Sequence, residues 1–258
     1  MIFNVHTHLN DNQEFDNAEE LIQECLNNKV NKLVVIGYDV KSSFRAIELA
    51  NKFESVYAAI GIHPSDILKE GNTIEEIEKL INKSNKIVAI GEIGLDYHWE
   101  NNPSREDQIK YFKEQIKLAN KYNLPIIIHS RDAMGDTVSV LKEMKEYYKK
   151  GIMHCYAGSI ETSKELEKLG FYFSFAGPLT YKNANELRKV AAYISLDKIL
   201  IETDDPYLTP TPHRGKTNHP SYVIYVAEEL AKVKNITYDE ICNITYNNAL
   251  KVFDLWSQ

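Results

Sequence analysis

The sequence predicts an α/β fold, a single closed (β/α)8 barrel, the TIM-barrel architecture, over residues 1–258. Three observations predict it. Short apolar runs alternate with longer amphipathic stretches along the whole chain. Eight such runs occur, each apolar at consecutive positions, as in parallel strands buried on both faces. The chemically active side chains fall at or just beyond the C-terminal ends of many different runs, which is where parallel barrels carry their chemistry. An open doubly wound sheet also alternates strand and helix, but it concentrates its chemistry at one or two switch points.

The expected strands cover residues 2–5, 32–37, 55–60, 86–90, 125–128, 151–153, 172–175 and 198–201. Between them, apolar residues recur at helical spacing: Ala18, Leu21, Ile22, Cys25 and Leu26; then Ile74, Ile77, Leu80 and Ile81; then Ile109, Phe112, Ile116, Leu118 and Ala119. Pro103-Ser104-Arg105-Glu106 is expected to open one long helix, and Asn183-Ala184-Asn185-Glu186 another. No repeat, low-complexity tract or flexible linker interrupts the pattern, so one domain is expected.

An apolar share of 43% with 26% charged residues is the make-up of an ordinary globular protein. The longest apolar runs, such as 33–36 and 126–128, are far too short to cross a bilayer. Residues 1–8 show no basic stretch leading into a long apolar one. A cytoplasmic protein with no membrane attachment and no obligate protein partner is expected. Cys25, Cys155 and Cys242 are widely spaced and include no CxxC pair, which argues against disulfides and against a cysteine-based zinc site. A net charge of −7 gives no bulk attraction for nucleic acid, so a phosphate-bearing substrate must be drawn by a local site.

His6 and His8 flank Thr7 at the end of the first run. Side chains two apart on a strand point the same way, so both imidazoles can face the barrel interior and grip one ion. Two half-exposed loop histidines would give the same pattern. His129 and His154 end the fifth and sixth runs. Each alone also fits a hydrogen-bonded core histidine, but on consecutive strands the two stand side by side. Glu92 lies in the apolar stretch 90–97, where a carboxylate must be paired or metal-bound to offset its desolvation. The alternative is a salt bridge, and the one arginine at a strand end is Arg131. Asp204 could be a turn aspartate before Pro206. The eighth strand, however, closes beside the first, where Asp204 can bind metal and take a proton from attacking water.

Four histidines and two carboxylates suit one or two borderline ions such as zinc, manganese or cobalt, whereas magnesium normally prefers all-oxygen shells. His63, Arg131 and Arg214 are candidates for contacts to a substrate phosphate, although a loop histidine and two surface arginines fit as well. Tyr97, His98 and Trp99 could stack on a nucleobase or simply pack.

The longer motifs carry a resemblance. Gly91-Glu92-Ile93-Gly94-Leu95-Asp96-Tyr97 and Ile201-Glu202-Thr203-Asp204, continuing to Arg214-Gly215-Lys216, are the most specific. Gly61-Ile62-His63-Pro64, His129-Ser130-Arg131-Asp132-Ala133 and His154-Cys155-Tyr156-Ala157-Gly158 add to them. With these the chain resembles the TatD family of metal-dependent deoxyribonucleases, in the amidohydrolase superfamily, from His6 to Ala249. The resemblance implies two divalent ions, with His6, His8, Glu92 and Asp204 around one, Glu92, His129 and His154 around the other, and Glu92 bridging. It implies hydrolysis of DNA as a 3′–5′ exonuclease on single strands or 3′ ends, with zinc, manganese or magnesium as the ion. Two positions depart from the family pattern. Asn4 stands where an aspartate is common, which predicts weaker tuning of the site. His219 stands where Asn218-Glu-Pro220 is common, which puts local substrate contacts in question.

Phosphodiester hydrolysis by metal-activated water, with Asp204 and Glu92 as the catalytic carboxylates, is therefore the expected activity. One rival is a hydrolase of the same barrel class acting on an amide, lactone or organophosphate. Another is a non-catalytic nucleic-acid-binding barrel, which the acidic composition disfavours.

Overall fold

The computed structural model describes residues 1–11 and 14–256; positions 12, 13, 257 and 258 of the expected domain lie outside the described residues. Eight parallel strands pair in chain order: β1 (Ile2–Thr7), β2 (Val30–Ile36), β3 (Val56–Ile60), β4 (Ile87–Asp96), β5 (Ile126–Arg131), β6 (Gly151–Met153), β7 (Phe171–Phe175) and β8 (Ile199–Ile201). The helices between them are α1 (Ala18–Asn27), α2 (Val40–Lys52), α3 (Ile74–Ile81), α4 (Arg105–Lys121), α5 (Met134–Glu143), α6 (Ile160–Lys168) and α7 (Asn185–Tyr193). Two more, α8 (Val223–Lys234) and α9 (Tyr238–Val252), follow β8. This is a (β/α)8 barrel, as the alternation predicts.

Local chemistry explains the helix starts. Ser104 caps α4 by accepting from the Asp107 amide. Asp39 and Ser42 form a reciprocal capping box at α2. Helix α7 begins at Asn185 as expected, but the residue before it is Ala184 and no side chain caps it. Most of the expected apolar stripes face inward: Ala18, Leu21, Ile22 and Cys25 of α1 are buried, as are Ile77, Leu80 and Ile81 of α3, while Leu26 is exposed and Ile74 only half-buried.

The strands differ from expectation chiefly in length. β4 runs six residues past Ile90 because Gly94, Leu95 and Asp96 continue to pair with His129, Ser130 and Arg131 of β5. Gly94 makes this approach possible, since its φ is +141° and a Cβ there would lie 2.0 Å from the His129 carbonyl oxygen. Three of the pairings carry register shifts, β1–β2 between Ile2 and Phe3 and again between Asn4 and Thr7, β3–β4 between Ala58 and Ala59, and β4–β5 between Ile90 and Ile93. An extra residue at such a bulge re-aims the side chains that follow it.

The core has two layers. Phe3, Val5, Val34, Ile36, Tyr57, Ala59, Val88, Ala89, Ile127, Ile152, Tyr172 and Leu200 fill the lower interior, plugged at the base by Val252 and Phe253 from the end of α9. A second cluster packs the outward strand faces against the helices. Just beyond β8 the barrel is stitched to β1 by backbone bonds, Asp204 N–H to the His6 carbonyl (3.1 Å) and His8 N–H to the Asp205 carbonyl (3.1 Å).

Candidate metal centre

Above the apolar plug, the upper interior is lined by histidines and carboxylates. The bulge on β1 lets His6 and His8 both point inward, with their Nε2 atoms 3.2 Å apart. His8 Nδ1 lies 3.1 Å from the Ile36 carbonyl, which only accepts, so Nδ1 carries a proton and Nε2 is the nitrogen turned to the position of an ion. Asp204, left-handed at φ 56°, brings Oδ1 to 3.5 Å from His6 Nε2 and 3.4 Å from His8 Nε2. Donors roughly 2.1 Å from one ion in a tetrahedron stand about 3.4 Å apart. The contacts among His6, His8 and Asp204 have that spacing.

Glu92 occupies the middle. Its Oε2 lies 3.6 Å from His6 Nε2 and 3.7 Å from His8 Nε2. Its Oε1 lies 2.9 Å from both His129 Nδ1 and His154 Nε2. One carboxylate thus addresses two histidine pairs with different oxygens. His6, His8 and Glu92, and separately Glu92, His129 and His154, are spaced to hold an ion. The six side chains expected to ligate metal are therefore brought together.

Sequence reasoning overlooked the groups behind them. Glu202 is fully buried; its Oε1 faces His154 Nδ1 (3.2 Å) and accepts from the Cys155 amide (2.7 Å), and its Oε2 accepts from Ser174 Oγ (2.7 Å). Asp96 Oδ2 lies 3.0 Å from His129 Nε2. Each of these carboxylates fixes which ring nitrogen is left for an ion and makes it more basic. The period-2 rule that pairs His6 with His8 would have found Asp96, which lies on β4 with Glu92, but it does not reach Glu202, which lies past the end of β8. Asp205, also fully buried, accepts from Thr7 Oγ1 (2.7 Å) and from Thr203.

Electrostatics test whether these residues fit divalent ions. No lysine or arginine among the described residues reaches Glu92, Asp96, Glu202, Asp204 or Asp205, which removes the salt-bridge alternative for Glu92. The imidazoles are the only positive charge available. Burial opposes a charge on His8, but Asp204 and Glu92 outweigh it and raise the pKa to about 9. On His154 burial is likewise overcome, by Glu92 and Glu202, and the pKa is well above the usual value. Burial works against ionised Glu92 too, yet His154 and His129 hold its carboxyl well below the ordinary range. A pocket that draws positive charge so strongly, from nitrogen and oxygen donors at ligand spacing, fits divalent cations.

The expected substrate contacts are placed less uniformly. His63 borders the cluster, with Nε2 3.9 Å from Glu92 Oε1. The Ser65 amide donates to its Nδ1, so Nε2–H faces the site. Burial and the neighbouring His129 push its pKa down to about 3, so it is neutral. Arg131 and Arg214 stand outside the cluster, exposed on the rim, with Arg131 over the Trp99 ring and Arg214 over the Tyr181 ring. Of the aromatic triplet, Tyr97 bonds Asp136 and His98 bonds Asp132, while Trp99 is 58% exposed.

The two sequence departures also have a structural account. Asn4 Nδ2 donates to Thr203 Oγ1 (2.7 Å) and to the Pro220 carbonyl (3.2 Å), and Oδ1 accepts from the His6 amide (3.3 Å). An ionised aspartate could not make the two donations. Asn4 thus ties β1 to the loop after β8. His219 pairs with Glu24 of α1 (3.3 Å) and Ser221, so it serves packing behind the rim.

The sequence pattern of the family described as TatD related DNase matches residues 3–254. The uncharacterized metal-dependent hydrolase YabD of Bacillus subtilis is 47% identical over 255 residues, covering 98% of this chain and 99% of that protein. YcfH of Escherichia coli, also named a metal-dependent hydrolase, is 37% identical over 208 residues, 81% of this chain and 77% of its own. Among solved structures, the TatD homolog YJJV of Escherichia coli superposes with a TM-score of 0.88 at 28% identity, covering 97% of this chain and 98% of its own. With a histidine–carboxylate centre at the mouth of the same barrel, the chain belongs to the TatD-related DNase family and is a metal-dependent hydrolase.

Proposed function

We propose that this one-domain hydrolase cleaves phosphodiester bonds in DNA as a 3′–5′ exonuclease acting on single strands or 3′ ends. Two divalent ions would be held there, one by His6, His8, Glu92 and Asp204, the other by Glu92, His129 and His154. The observation that carries the reading is Glu92, whose two oxygens each face a different histidine pair. The donor set suits zinc or manganese better than magnesium. Ions bound there would supply Lewis acidity toward a phosphate and make water more acidic.

The chain's own residues do the rest. Burial raises the Asp204 pKa, but His8, His154 and His6 more than compensate, so its carboxylate is ionised at neutral pH. It accepts the proton of the attacking water as the new P–O bond forms and the bond to the leaving sugar oxygen breaks. His63 presents a neutral N–H to the oxygens that gain charge. Arg131 and Arg214 hold the flanking phosphates. Cys25, Cys155 and Cys242 are free thiols, which suits the reducing cytoplasm. No helix among the described residues is long and apolar enough to cross a membrane.

The test uses metal-stripped protein and a 3′-labelled single-stranded oligonucleotide. Mononucleotides should be released from the 3′ end only after zinc, manganese or magnesium is restored. Full activity without any added ion would overturn the reading. So would turnover of a lactone or dihydropyrimidine in a side-by-side assay in which DNA stays intact.

A further inference from the structure

The chain has five arginines, and their partners divide them into two classes. Arg45 pairs with Glu48 (3.1 Å), Arg105 with Asp136 (2.6 Å) and Arg188 with Glu229 (3.5 Å). Arg131 and Arg214 have no carboxylate partner among the described residues, although the chain carries 37 acidic side chains. These are the two at the mouth, Arg131 as the last residue of β5 and Arg214 in the loop after β8. Each guanidinium lies over an aromatic ring with no carboxylate beside it, Arg131 Cζ 5.3 Å from the centroid of Trp99 and Arg214 Cζ 3.7 Å from that of Tyr181, whereas Arg105, over Tyr97, is also held by Asp136. A stacked guanidinium keeps its in-plane N–H groups free for an anion.

Both platforms are fixed by their surroundings. His98 Nδ1 and Asp132 Oδ2, 2.7 Å apart, tie the loop bearing Trp99 to the strand end bearing Arg131. The Thr211 amide donates to Thr180 Oγ1 (2.9 Å), tying the loop of Arg214 to that of Tyr181. His213, next to Arg214, stacks on Tyr222 at 4.3 Å and is 2.9 Å from Tyr225 Oη. One platform therefore belongs to the β4–β5 side of the mouth and the other to the β7–β8 side, three strands further around the eight-stranded barrel. The histidine–carboxylate centre lies between them.

We propose that Arg131–Trp99 and Arg214–Tyr181 are two nucleotide subsites that grip a single strand on opposite sides of the scissile phosphate. At each, the guanidinium edge takes a backbone phosphate and the aromatic face takes a base. The inference rests on the phosphodiesterase reading and adds to it that a longer strand engages both platforms at once where a dinucleotide engages one. It also gives a chain of net charge −7 a local means of attracting a polyanion, because the two arginines without a carboxylate partner among the described residues are those at the mouth.

The test has a binding arm and a kinetic arm. Trp99 and Trp256 are the only tryptophans, so W256F leaves Trp99 as the reporter. Titrating metal-free W256F with a ten-residue oligothymidylate should quench its fluorescence saturably and more weakly as salt rises. R131Q, R214Q and Y181A, each made in W256F, should weaken binding, and R105Q in W256F should match its W256F parent. With metal restored, W99A and Y181A should each raise KM for the ten-mer roughly 5- to 100-fold, as loss of one stacked base predicts, with smaller changes for a dinucleotide. Hydrolysis of the ten-mer with no quenching, and with KM indifferent to W99A and Y181A, would overturn the subsites and leave the phosphodiesterase reading intact. Equal quenching by inorganic polyphosphate would also overturn them, because no base is then involved. Quenching with no hydrolysis under any ion would instead sink the phosphodiesterase reading.

Discussion

The two ends of the barrel interior are built from the same strands and have opposite chemistry. At the base, Phe3, Val34, Tyr57, Ile127, Ile152 and Leu200 meet Val252 and Phe253 in a dry plug. At the mouth, the same column presents five histidines and a set of carboxylates, with no lysine or arginine paired to them among the described residues. On β5 to β8 a step of two residues makes the change: Ile127 to His129, Ile152 to His154, Tyr172 to Ser174, Leu200 to Glu202. On β1 and β4 it does not. Val5 and His6 are adjacent, and Ala89 and Glu92 are three apart, so strict alternation would turn His6 and Glu92 away from the interior. The register shifts at these two places supply the missing step. The plug has irregularities of its own, with adjacent Val88 and Ala89 both in it across a shift of β4 against β3, but the shifts after Asn4 and Ile90 are the ones that turn His6 and Glu92 inward.

This contrast predicts that damage to the mouth removes chemistry and damage to the plug removes stability. The largest effect is expected from Glu92→Gln, which keeps the shape and removes the charge shared by both histidine pairs. It should lower kcat/KM roughly 10³-fold, about 4 kcal/mol of transition-state stabilisation, with a folded circular-dichroism spectrum. Activity within tenfold of the parent would break the assignment of Glu92 as the bridge.

Phe253→Ala opens the plug and should cost about 3 kcal/mol of stability by denaturant titration. Metal content and kcat/KM of the folded fraction should stay as in the parent. A loss of bound metal with unchanged stability would mean the two ends are not separable.

Asp205 sharpens the boundary through pH. Burial raises its pKa to about 6, above the value of an exposed aspartate, so the folded state binds this proton more tightly than the unfolded one. Its contribution is most favourable below about pH 4 and is lost as pH rises to about 6. In metal-free protein, the stability of the parent relative to Asp205→Asn should therefore fall by about 2–3 kcal/mol across that window. A difference independent of pH would refute the raised pKa.

The smallest effect is expected behind the ligands. Glu202→Gln should weaken metal binding 10- to 100-fold in a chelator competition, because an amide orients the His154 ring less firmly and adds no charge. Glu202→Asp should recover part of that loss. Unchanged affinity in Glu202→Gln would make Glu202 a packing residue only.

Much of this was legible in the sequence because it rests on short-range rules. Strand runs buried on both faces, helical stripes and capping residues such as Ser104 specify the barrel locally, and the apolar surroundings of Glu92 mark it as needing a partner. Same-face spacing on β4 also contains Asp96, although it does not stand out until His129 is seen against it, and Glu202 past the end of β8 shows its role only beside His154. The tertiary structure alone decided the rest. The bulges depend on register against a neighbouring strand, and the reach of Asp204 to His6 and His8 depends on β8 closing onto β1. The pairing of Arg131 with Trp99 and of Arg214 with Tyr181 depends on loops that meet only across the rim. The physical reason is common to all three. A residue's own neighbours in sequence set which way its side chain faces, but what it meets there is set by chain segments 30 to 200 residues away.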